Sequence, residues 1–352
     1  MSRFFTKTLS ALQPYTPGEQ PQDQQYIKLN TNESPFPASP RVQSEINGQE
    51  AARLNLYSDP DCKALIAAVA KRFGLAPEQV TVGNGSDEVL YFALRAFCDE
   101  QTPLAYNDIT YGCYKTWCSL LQVPSVILPL REDYSVDTGL YRNLNCTVMV
   151  TNPNAPTGLC LPLSKIEGIL QSNPDNVVIV DEAYVDFGGE SAVSLIGKYD
   201  NLLVVQTCSK SRSLAGARLG YAMGHPDLIA DLNRIKFSFN PYNVNRLTCL
   251  AGIAAMEDEE YFRACTGAVI QTRKRVAAEL TEMGFALTDS KANFLFAESS
   301  RIPGGELYRK LKARGILVRH FDKPRLENRL RITVGSEEQM EALLTALKEL
   351  GA

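Results

Sequence analysis

Histidine, tryptophan and long apolar runs are scarce in this chain. Of its 352 residues, two are histidine and one is tryptophan. With two histidines and no H-E-x-x-H motif, a histidine-rich metal site is close to excluded, and we expect no metal. No apolar run approaches the length of a membrane span, and residues 1–12 lack the apolar core of a signal peptide. We therefore expect a cytoplasmic protein with no membrane segment.

Charge and cysteine spacing argue against two further classes of protein. Lysine and arginine number 36 against 40 aspartates and glutamates, and no basic run of five or more occurs. This balance argues against a nucleic-acid partner. The nine cysteines are odd in number, widely spaced and free of any C-x-x-C. Such usage is typical of a reduced intracellular protein rather than a disulfide scaffold, and it assigns the cysteines no role.

The pattern along the chain predicts an arm followed by two domains. Residues 1–40 are rich in proline, which favours an extended arm. Residues 41–243 carry short β-branched runs with helical segments between them, which predicts an α/β domain with a mostly parallel sheet flanked by helices. Residues 244–352 combine long helical stretches with short strands, which predicts a smaller α+β domain. Its closing helix starts at a capping box, with Ser336 facing Gln339.

Polar or turn-prone segments follow four of the predicted strands. In an open α/β sheet, ligands bind beyond the carboxyl ends of the strands. Each segment alone has an ordinary explanation as a turn or a helix cap, and the first lacks the third glycine of G-x-G-x-x-G. Together on one sheet edge they predict a single crevice. The four segments are 83–87, 151–158, 181–184 and 206–210.

A lysine and an arginine are predicted to meet at this edge. Only eight residues separate Lys210 from Arg218, whereas a parallel crossover needs a dozen or more. The strand after Arg218 should therefore run antiparallel and begin at the edge that holds Lys210. The arginine and the hydroxyls of Thr207 and Ser209 suit a phosphate. The glycine turn before the helix at Ser86 adds backbone N–H donors and a positive dipole end.

A phosphate site, the Lys210 amine and the Asp181 carboxylate together fit pyridoxal 5′-phosphate. Lysine forms a Schiff base with the aldehyde of this cofactor. A carboxylate beside the pyridine nitrogen keeps that nitrogen protonated, which makes the ring an electron sink. Nearby cationic groups should lower the pKa of the lysine and so favour attachment.

These motifs resemble those of the fold-type I pyridoxal-phosphate aminotransferases and, within that group, the histidinol-phosphate aminotransferases. The set T-x-S-K with an arginine eight residues after the lysine, together with D-E-A-Y, is specific for the cofactor and less specific for the substrate. The resemblance implies the fold-type I fold. It also implies interconversion of L-histidinol phosphate and imidazole acetol phosphate with 2-oxoglutarate and L-glutamate, a step of histidine biosynthesis. The matching segments are 14–18, 29–33, Tyr57, 154–158, 181–184, 209–210, 214–218 and 330–335.

The resemblance also implies roles for individual residues. Lys210 would attach the cofactor and carry the substrate proton, and Asp181 would pair with the ring nitrogen. Tyr184 would bind the ring hydroxyl, and Tyr111 would stack on the ring. Tyr57 would reach the phosphate from a second subunit, which implies a homodimer with shared active sites. The other phosphate-binding residues would be Gly85, Ser86, Asp87, Thr207, Ser209 and Arg218.

One position departs from the family pattern. The family usually has N-N-P-T-G, in which the second asparagine contacts the ring hydroxyl, and this chain has Ala155 there. Either Asn154 takes over through a small backbone shift, or Tyr184 acts alone. We predict that Asn154 takes over.

The resemblance further implies a substrate site built on two arginines. Arg331 matches the position that grips the substrate anion in most fold-type I aminotransferases, and Arg319 matches a second phosphate-binding arginine. Tyr15 of the arm could close over the pocket, and Asn32 would line its mouth. Without the resemblance, ordinary exposed salt bridges would be the commoner role of such arginines.

Two other activities share this fold and much of this motif set. They are an aromatic or broad-specificity aminotransferase and a decarboxylase of threonine phosphate. Turnover with glutamate and 2-oxoglutarate would separate the transaminases from the decarboxylase. A non-enzymatic regulator on the same fold would carry an added DNA-binding module, for which this chain leaves no room, and the net charge of −4 also argues against it.

Overall fold

The computed structural model describes residues 3–352 and contains a seven-stranded and a five-stranded sheet. The strands of the larger sheet are the β-branched runs that the sequence predicts, together with one further strand. In spatial order they are β2 (Val80–Asn84), β8 (Leu219–Gly224), β7 (Leu202–Thr207), β6 (Val178–Asp181), β5 (Thr147–Thr151), β3 (Leu104–Asn107) and β4 (Ser125–Leu128).

The larger sheet is mostly parallel, as predicted. Strands β4, β3, β5, β6 and β7 pair in parallel, whereas β8 runs antiparallel to both β7 and β2. The antiparallel direction predicted for the strand after Arg218 is therefore confirmed. Thr207 pairs with Gly220, which brings the beginning of β8 to the edge at which β7 ends.

The strands of this sheet, apart from the edge strand β4, are buried on both faces. In β6, Val178 and Val180 belong to one apolar core, and Ile179 between them belongs to the core on the opposite face. Two-sided burial explains why these strands are uninterrupted apolar runs.

The helices of the chain are α1 (Pro40–Glu45), α2 (Gly48–Ala51), α3 (Lys63–Phe73), α4 (Ser86–Phe97), α5 (Cys113–Leu121), α6 (Leu163–Gln171), α7 (Pro226–Phe239), α8 (Arg246–Glu257), α9 (Glu259–Glu282), α10 (Gly304–Ala313) and α11 (Glu337–Leu350).

The smaller sheet joins the arm to the C-terminal part of the chain. Its order is β1 (Ile27–Leu29), β11 (Ile316–His320), β12 (Arg329–Thr333), β10 (Phe294–Ser299) and β9 (Phe285–Leu287). Strand β1 pairs in parallel with β11, so the arm forms an edge of this sheet. The predicted capping box of α11 is present, with Ser336 accepting from the Gln339 backbone. Its apolar positions Met340, Leu343 and Leu347 lie in the core beneath the sheet.

Helix α8 bears on where the two domains divide. Its residues Ala251, Ala254 and Met256 belong to the same core as the strands of the larger sheet. We therefore propose that the larger domain extends to about residue 257 and that residues 27–29 of the arm belong to the smaller one. Within residues 3–352, no helix has both the length and the apolar character that a membrane crossing requires.

Candidate active site

A cavity of about 330 Å³ lies at the carboxyl edge of the larger sheet. Its walls come from the ends of β5, β6 and β7 and from the start of α4, so the predicted convergence of polar segments is observed. The predicted site residues that line it are Ser86, Asp87, Tyr111, Asp181, Tyr184, Thr207, Ser209, Lys210 and Arg218.

One end of the cavity has the donors that an anion needs. The backbone N–H groups at the start of α4 face it, with the hydroxyls of Thr207 and Ser209 and the guanidinium of Arg218. Gly85 precedes the helix with a φ of +85°, and a Cβ there would lie 2.6 Å from Nη2 of Arg218. A Cβ on Gly220 would lie 2.1 Å from the backbone nitrogen of Ser86. The two glycines therefore let strand, helix and arginine approach closely around one point.

Asp87 orients two of the surrounding side chains. Its Oδ1 accepts a hydrogen bond from the hydroxyl of Tyr111 at 3.0 Å, and its Oδ2 accepts one from Nη2 of Arg218 at 3.1 Å. The resemblance predicted only a backbone contribution from Asp87. Its carboxylate fixes the aromatic ring and the guanidinium relative to each other.

Lys210 is half-buried and lines the cavity. Its Nζ donates to the carbonyl oxygen of Thr31 at 3.2 Å. Burial, followed by the repulsion of the Arg331 guanidinium, lowers the pKa of Lys210 to about 8. A lysine in this state carries a substantial neutral, nucleophilic fraction near neutral pH.

This lowered pKa predicts how the cofactor-free protein reacts with an amine-selective reagent. Labelling of Lys210 by trinitrobenzenesulfonate should rise with a midpoint near pH 8 rather than near 10.5, because only the neutral amine reacts. Peptide mass analysis at several pH values measures this midpoint, with exposed Lys198 in the same samples for comparison. A Lys210 midpoint near 10.5 would contradict the assignment of a desolvated amine.

Asp181 ends β6 as a buried carboxylate. Its Oδ2 accepts a hydrogen bond of 2.5 Å from the hydroxyl of Tyr114, which in turn lies 2.9 Å from Oγ1 of Thr151. Burial raises the pKa of Asp181 to about 6, although the Tyr114 hydrogen bond acts in the opposite direction. Within residues 3–352, Asp181 has no salt-bridge partner. The cavity thus contains an acid whose charged form needs a cationic group that the described chain does not provide.

Tyr184 is held by a side chain of the arm, whereas Asn154 does not reach the cavity. The hydroxyl of Tyr184 accepts a hydrogen bond from Nδ2 of Asn32 at 3.0 Å, and burial raises the pKa of Tyr184. Nδ2 of Asn154 donates to the Ile109 carbonyl at 2.9 Å and to Thr157 at 3.1 Å. The Asn154 side chain thus bonds to the segment after β3 as well as to its own loop, and Ala155 lines the cavity beside it. Asn154 is not among the residues that line this cavity, whereas Tyr184 is.

The two predicted arginines lie in an adjoining cavity of about 460 Å³, together with Tyr15. Nη2 of Arg331 donates to the Asn30 carbonyl at 2.9 Å, and its buried Nε has no hydrogen-bond partner. Arg319 instead holds the arm, because its guanidinium donates to the carbonyls of Thr16 and Pro17. Arg331 therefore has a donor available for an anion, and Arg319 fixes the segment that carries Tyr15.

Tyr15 and Tyr57 occupy different positions relative to this site. The ring of Tyr15 packs edge-on against Tyr111, with centroids 5.8 Å apart, which places the arm over the cavity mouth. Tyr57 is 78% exposed and stacks on Tyr242, and it does not line the cavity of its own chain. A contribution of Tyr57 to this chemistry would therefore need a second subunit.

Several residues of the site were not predicted individually. Thr31 and Glu33 line the cavity from the arm, and Thr151 lines it from the end of β5. These three residues fall within segments 29–33 and 151–158, which the sequence motifs already single out, so the sequence indicates their region but not their individual roles. Tyr114 has no such indication, because its contact with Asp181 depends on how α5 packs on the sheet.

Comparison with known proteins assigns the family. The family model for aminotransferase class I and II matches residues 24–347. Histidinol-phosphate aminotransferase 2 of Dechloromonas aromatica is 51% identical over 99% of each chain, and the histidinol-phosphate aminotransferase of a Marinomonas species is 51% identical over 99% of this chain and 100% of its own. The histidinol-phosphate aminotransferase of Sinorhizobium meliloti, solved in complex with pyridoxal-5′-phosphate, superposes with a TM-score of 0.89 at 24% identity, covering 100% of this chain and 98% of its own. Aspartate aminotransferase of Thermus thermophilus superposes with a TM-score of 0.83 at 18% identity, covering 99% and 100%. The predicted fold-type I architecture is thereby confirmed, and the chain belongs to the family of class I and II aminotransferases.

Proposed function

We propose that this aminotransferase is pyridoxal-phosphate-dependent and transfers an amino group between L-histidinol phosphate and 2-oxoglutarate. The observation that carries the proposal is one cavity that joins Lys210, Asp181 and an anion-binding helix start. The substrate follows from relatives of the same length, 51% identical, that are named histidinol-phosphate aminotransferases.

The residues of the cavity fit the cofactor. The start of α4, Thr207, Ser209 and Arg218 would hold its phosphate, and the absence of a Cβ on Gly85 lets the Arg218 guanidinium lie beside the start of the helix. Asp181, without a cationic partner among the described residues, would pair with the ring nitrogen. When bound, the cofactor supplies an aldehyde that a lysine amine attacks and a ring that accepts electrons.

Lys210 and Tyr184 would supply the proton transfer and the hydrogen bond that the reaction needs from the chain. The Lys210 amine, with its pKa near 8, can take a proton from a substrate carbon and return one at neutral pH. Burial keeps the Tyr184 hydroxyl protonated, so it can donate to a ring oxygen while Asn32 holds it in place. Tyr111, fixed by Asp87, would cover one face of the ring.

The environment of Arg331 supports the proposal that the substrate carries an anionic group. Its Nε is buried and unpartnered, and one Nη atom is anchored to Asn30, so the guanidinium is aimed before substrate arrives. A guanidinium binds phosphate and carboxylate through the same fork of donors. The same arginine can therefore serve histidinol phosphate in one half-reaction and glutamate in the other.

A homodimer with shared sites is part of the proposal. Leu54 and Leu56 are 56% and 54% exposed and lie just before Tyr57, which stacks on Tyr242, and we infer that these side chains form an apolar patch. Exposed apolar patches mark protein interfaces. A second copy of the chain covering this patch would bring Tyr57 towards the neighbouring phosphate site.

We also propose a cytoplasmic location. All nine cysteines are free. Free thiols in this number suit a reducing compartment.

The proposed function is tested by adding L-histidinol phosphate to the purified enzyme without a keto acid and following the cofactor absorbance. The absorption band of the lysine-bound cofactor should decay rapidly after histidinol phosphate is added, and 2-oxoglutarate should restore this band. Together the two changes require amino transfer and acceptance of the phosphorylated substrate.

Other outcomes of this experiment separate the alternatives. A cofactor spectrum that ignores histidinol phosphate and responds to aromatic amino acids would keep the mechanism and reject the substrate. Release of carbon dioxide from threonine phosphate without amino transfer would favour the decarboxylase. Absence of any cofactor band after addition of pyridoxal phosphate would reject the proposal as a whole.

A further inference from the structure

Two cysteines lie in contact between helices α3 and α8, away from the cavity. Cys62 immediately precedes α3, and Cys249 lies in the first turn of α8. Their Sγ atoms are 3.9 Å apart. A disulfide needs about 2.05 Å, so side-chain rotation of less than about 2 Å would bring the two sulfurs to bonding distance. Within residues 3–352, no other two cysteine sulfurs are in hydrogen-bond contact.

The surroundings of Cys62 favour its thiolate. The side chain of Lys236 is buried beside both sulfurs, and its positive charge acts on each of them. Cys62 also stands at the N-terminus of the eleven-residue helix α3, where the helix dipole favours an anion. The hydrogen bond from Cys249 lowers the pKa of Cys62 and outweighs both burial and the weaker repulsion of Asp59 and Asp61, which raise it. By contrast, burial raises the pKa of Cys208, near the cavity, to about 12.

We propose that Cys62 and Cys249 form a redox-sensitive dithiol, which a hydroperoxide such as hydrogen peroxide converts into a disulfide. The Cys62 thiolate attacks one peroxide oxygen, the O–O bond breaks, and hydroxide leaves and takes up a proton as water. The Cys249 thiol then loses its proton and attacks the resulting Cys62 sulfenic acid, whose S–O bond breaks to release a second water. Two thiols are oxidised by two electrons, and one peroxide is reduced to two waters.

The dithiol lies beside the segment that carries Tyr57. The Tyr57 carbonyl accepts a hydrogen bond from Arg246, and the hydroxyl of Ser58 donates to the Val244 carbonyl at 2.7 Å. The ring of Tyr57 stacks on Tyr242. A disulfide would therefore add a covalent link between residues 57–62 and the start of α8, the two segments that hold Tyr57 in place. The effect of this link on the active site, unlike the disulfide itself, rests on the proposed function.

Peptide mapping of the holoenzyme tests the disulfide directly. After exposure to hydrogen peroxide and blocking of free thiols with iodoacetamide, trypsin should release residues 54–63 joined to residues 247–263, each with one cysteine. Dithiothreitol should separate them. Cys62→Ser should abolish the joined peptide, and Cys160→Ser, which changes a partly exposed cysteine without a sulfur neighbour, should leave it. Lys236→Met should slow its formation by about three- to tenfold.

Two results would overturn the dithiol. One is oxidation of Cys62 and Cys249 to sulfinic or sulfonic acids without a joined peptide, and the other is a bond that joins two chains on a non-reducing gel. Neither readout depends on substrate, so both remain informative if the proposed function fails.

The coupling to the active site has its own readout. The rate at which the oxidised holoenzyme loses cofactor should differ from that of the reduced form by about three- to tenfold, the range expected for a change in one hydrogen bond. The same oxidation of Tyr57→Phe should change the rate by less than about twofold. Equal release rates for the reduced and oxidised enzymes would reject the coupling.

Discussion

Replacing Lys210 by alanine should lower kcat by about 10⁴-fold or more. Lys210 is the only lysine that lines the described cavity, and its amine would both attach the cofactor and move the substrate proton. Proton transfer by a positioned group alone contributes about 10²- to 10⁴-fold, and the loss of covalent attachment adds to it. Steady-state turnover with histidinol phosphate and 2-oxoglutarate measures the loss.

Two controls separate this effect from damage to the fold. Lys198→Ala removes an exposed lysine paired with Glu167 and should leave turnover within about twofold. Borohydride treatment should fix pyridoxal phosphate to the parent enzyme and not to Lys210→Ala. If the variant remained covalently labelled, the assignment of Lys210 would be wrong.

The same variant tests the shared active site. In a mixed dimer of Lys210→Ala and Tyr57→Ala chains, one site carries both defects and the other has neither. If Tyr57 acts across the interface, mixing the two inactive or impaired proteins should restore up to about half of the parental turnover per dimer. Activity that stays at the mean of the two variants would place Tyr57 in the site of its own chain or outside both.

Much of the larger sheet could be predicted because two-sided burial leaves a simple pattern. The runs at 147–150 and 202–205 are apolar and β-branched, and they became β5 and β7 with one or two residues added at the ends. Strand β3 was missed because Leu104–Asn107 has no β-branched residue and owes its conformation to the neighbours on either side. Helix α7 was also missed, although Pro226 at its first position was a start signal.

The arm contains a strand that its local sequence pattern does not predict. Its prolines predict an extended chain, but β1 exists because Ile27 pairs with Ile316, nearly three hundred residues away. No local period encodes such a partner. The pairing matters for the site, since it positions Thr31 beneath the Lys210 amine and Asn32 beside Tyr184.

Side-chain direction was the least predictable feature of the site. Residue spacing indicated that Asp181, Lys210 and Arg218 share one edge, because strand ends meet there whatever the side chains do. The direction of the Asn154 side chain depends on residues 109 and 110, which lie far away in sequence and bond to its amide. Tyr114 reaches Asp181 only because α5 packs on the sheet at one orientation.

Replacing Asp181 by asparagine should lower kcat by about 10²- to 10⁴-fold and weaken cofactor binding. Asparagine has the shape of aspartate and can keep a hydrogen bond to Tyr114, but it has no charge to set against a protonated ring nitrogen. Loss of one partner of a buried charge pair or of one preorganised electrostatic contact has effects of this size. Turnover and the equilibrium constant for pyridoxal phosphate, measured by absorbance titration, give the two values. Asp133→Asn, a substitution of an exposed carboxylate, should change neither.

The stability of the cofactor-free protein distinguishes a lost charge from a damaged fold. The folded protein binds the Asp181 proton more tightly than the unfolded chain, because burial raises this pKa from 3.8 to about 6. Between about pH 4 and 6 the unfolded chain therefore releases a proton that the folded protein keeps, and the free energy of unfolding falls as pH rises. Asp181→Asn removes this contribution, so the variant should gain stability relative to the parent across that interval, by up to roughly 3 kcal/mol, and keep the gain at pH 7. Urea unfolding of both proteins at several pH values measures the difference. If the variant is less stable than its parent at pH 7, its loss of activity is explained by damage to the fold. If it is more stable and inactive, the charge of Asp181 serves the cofactor at a cost in stability.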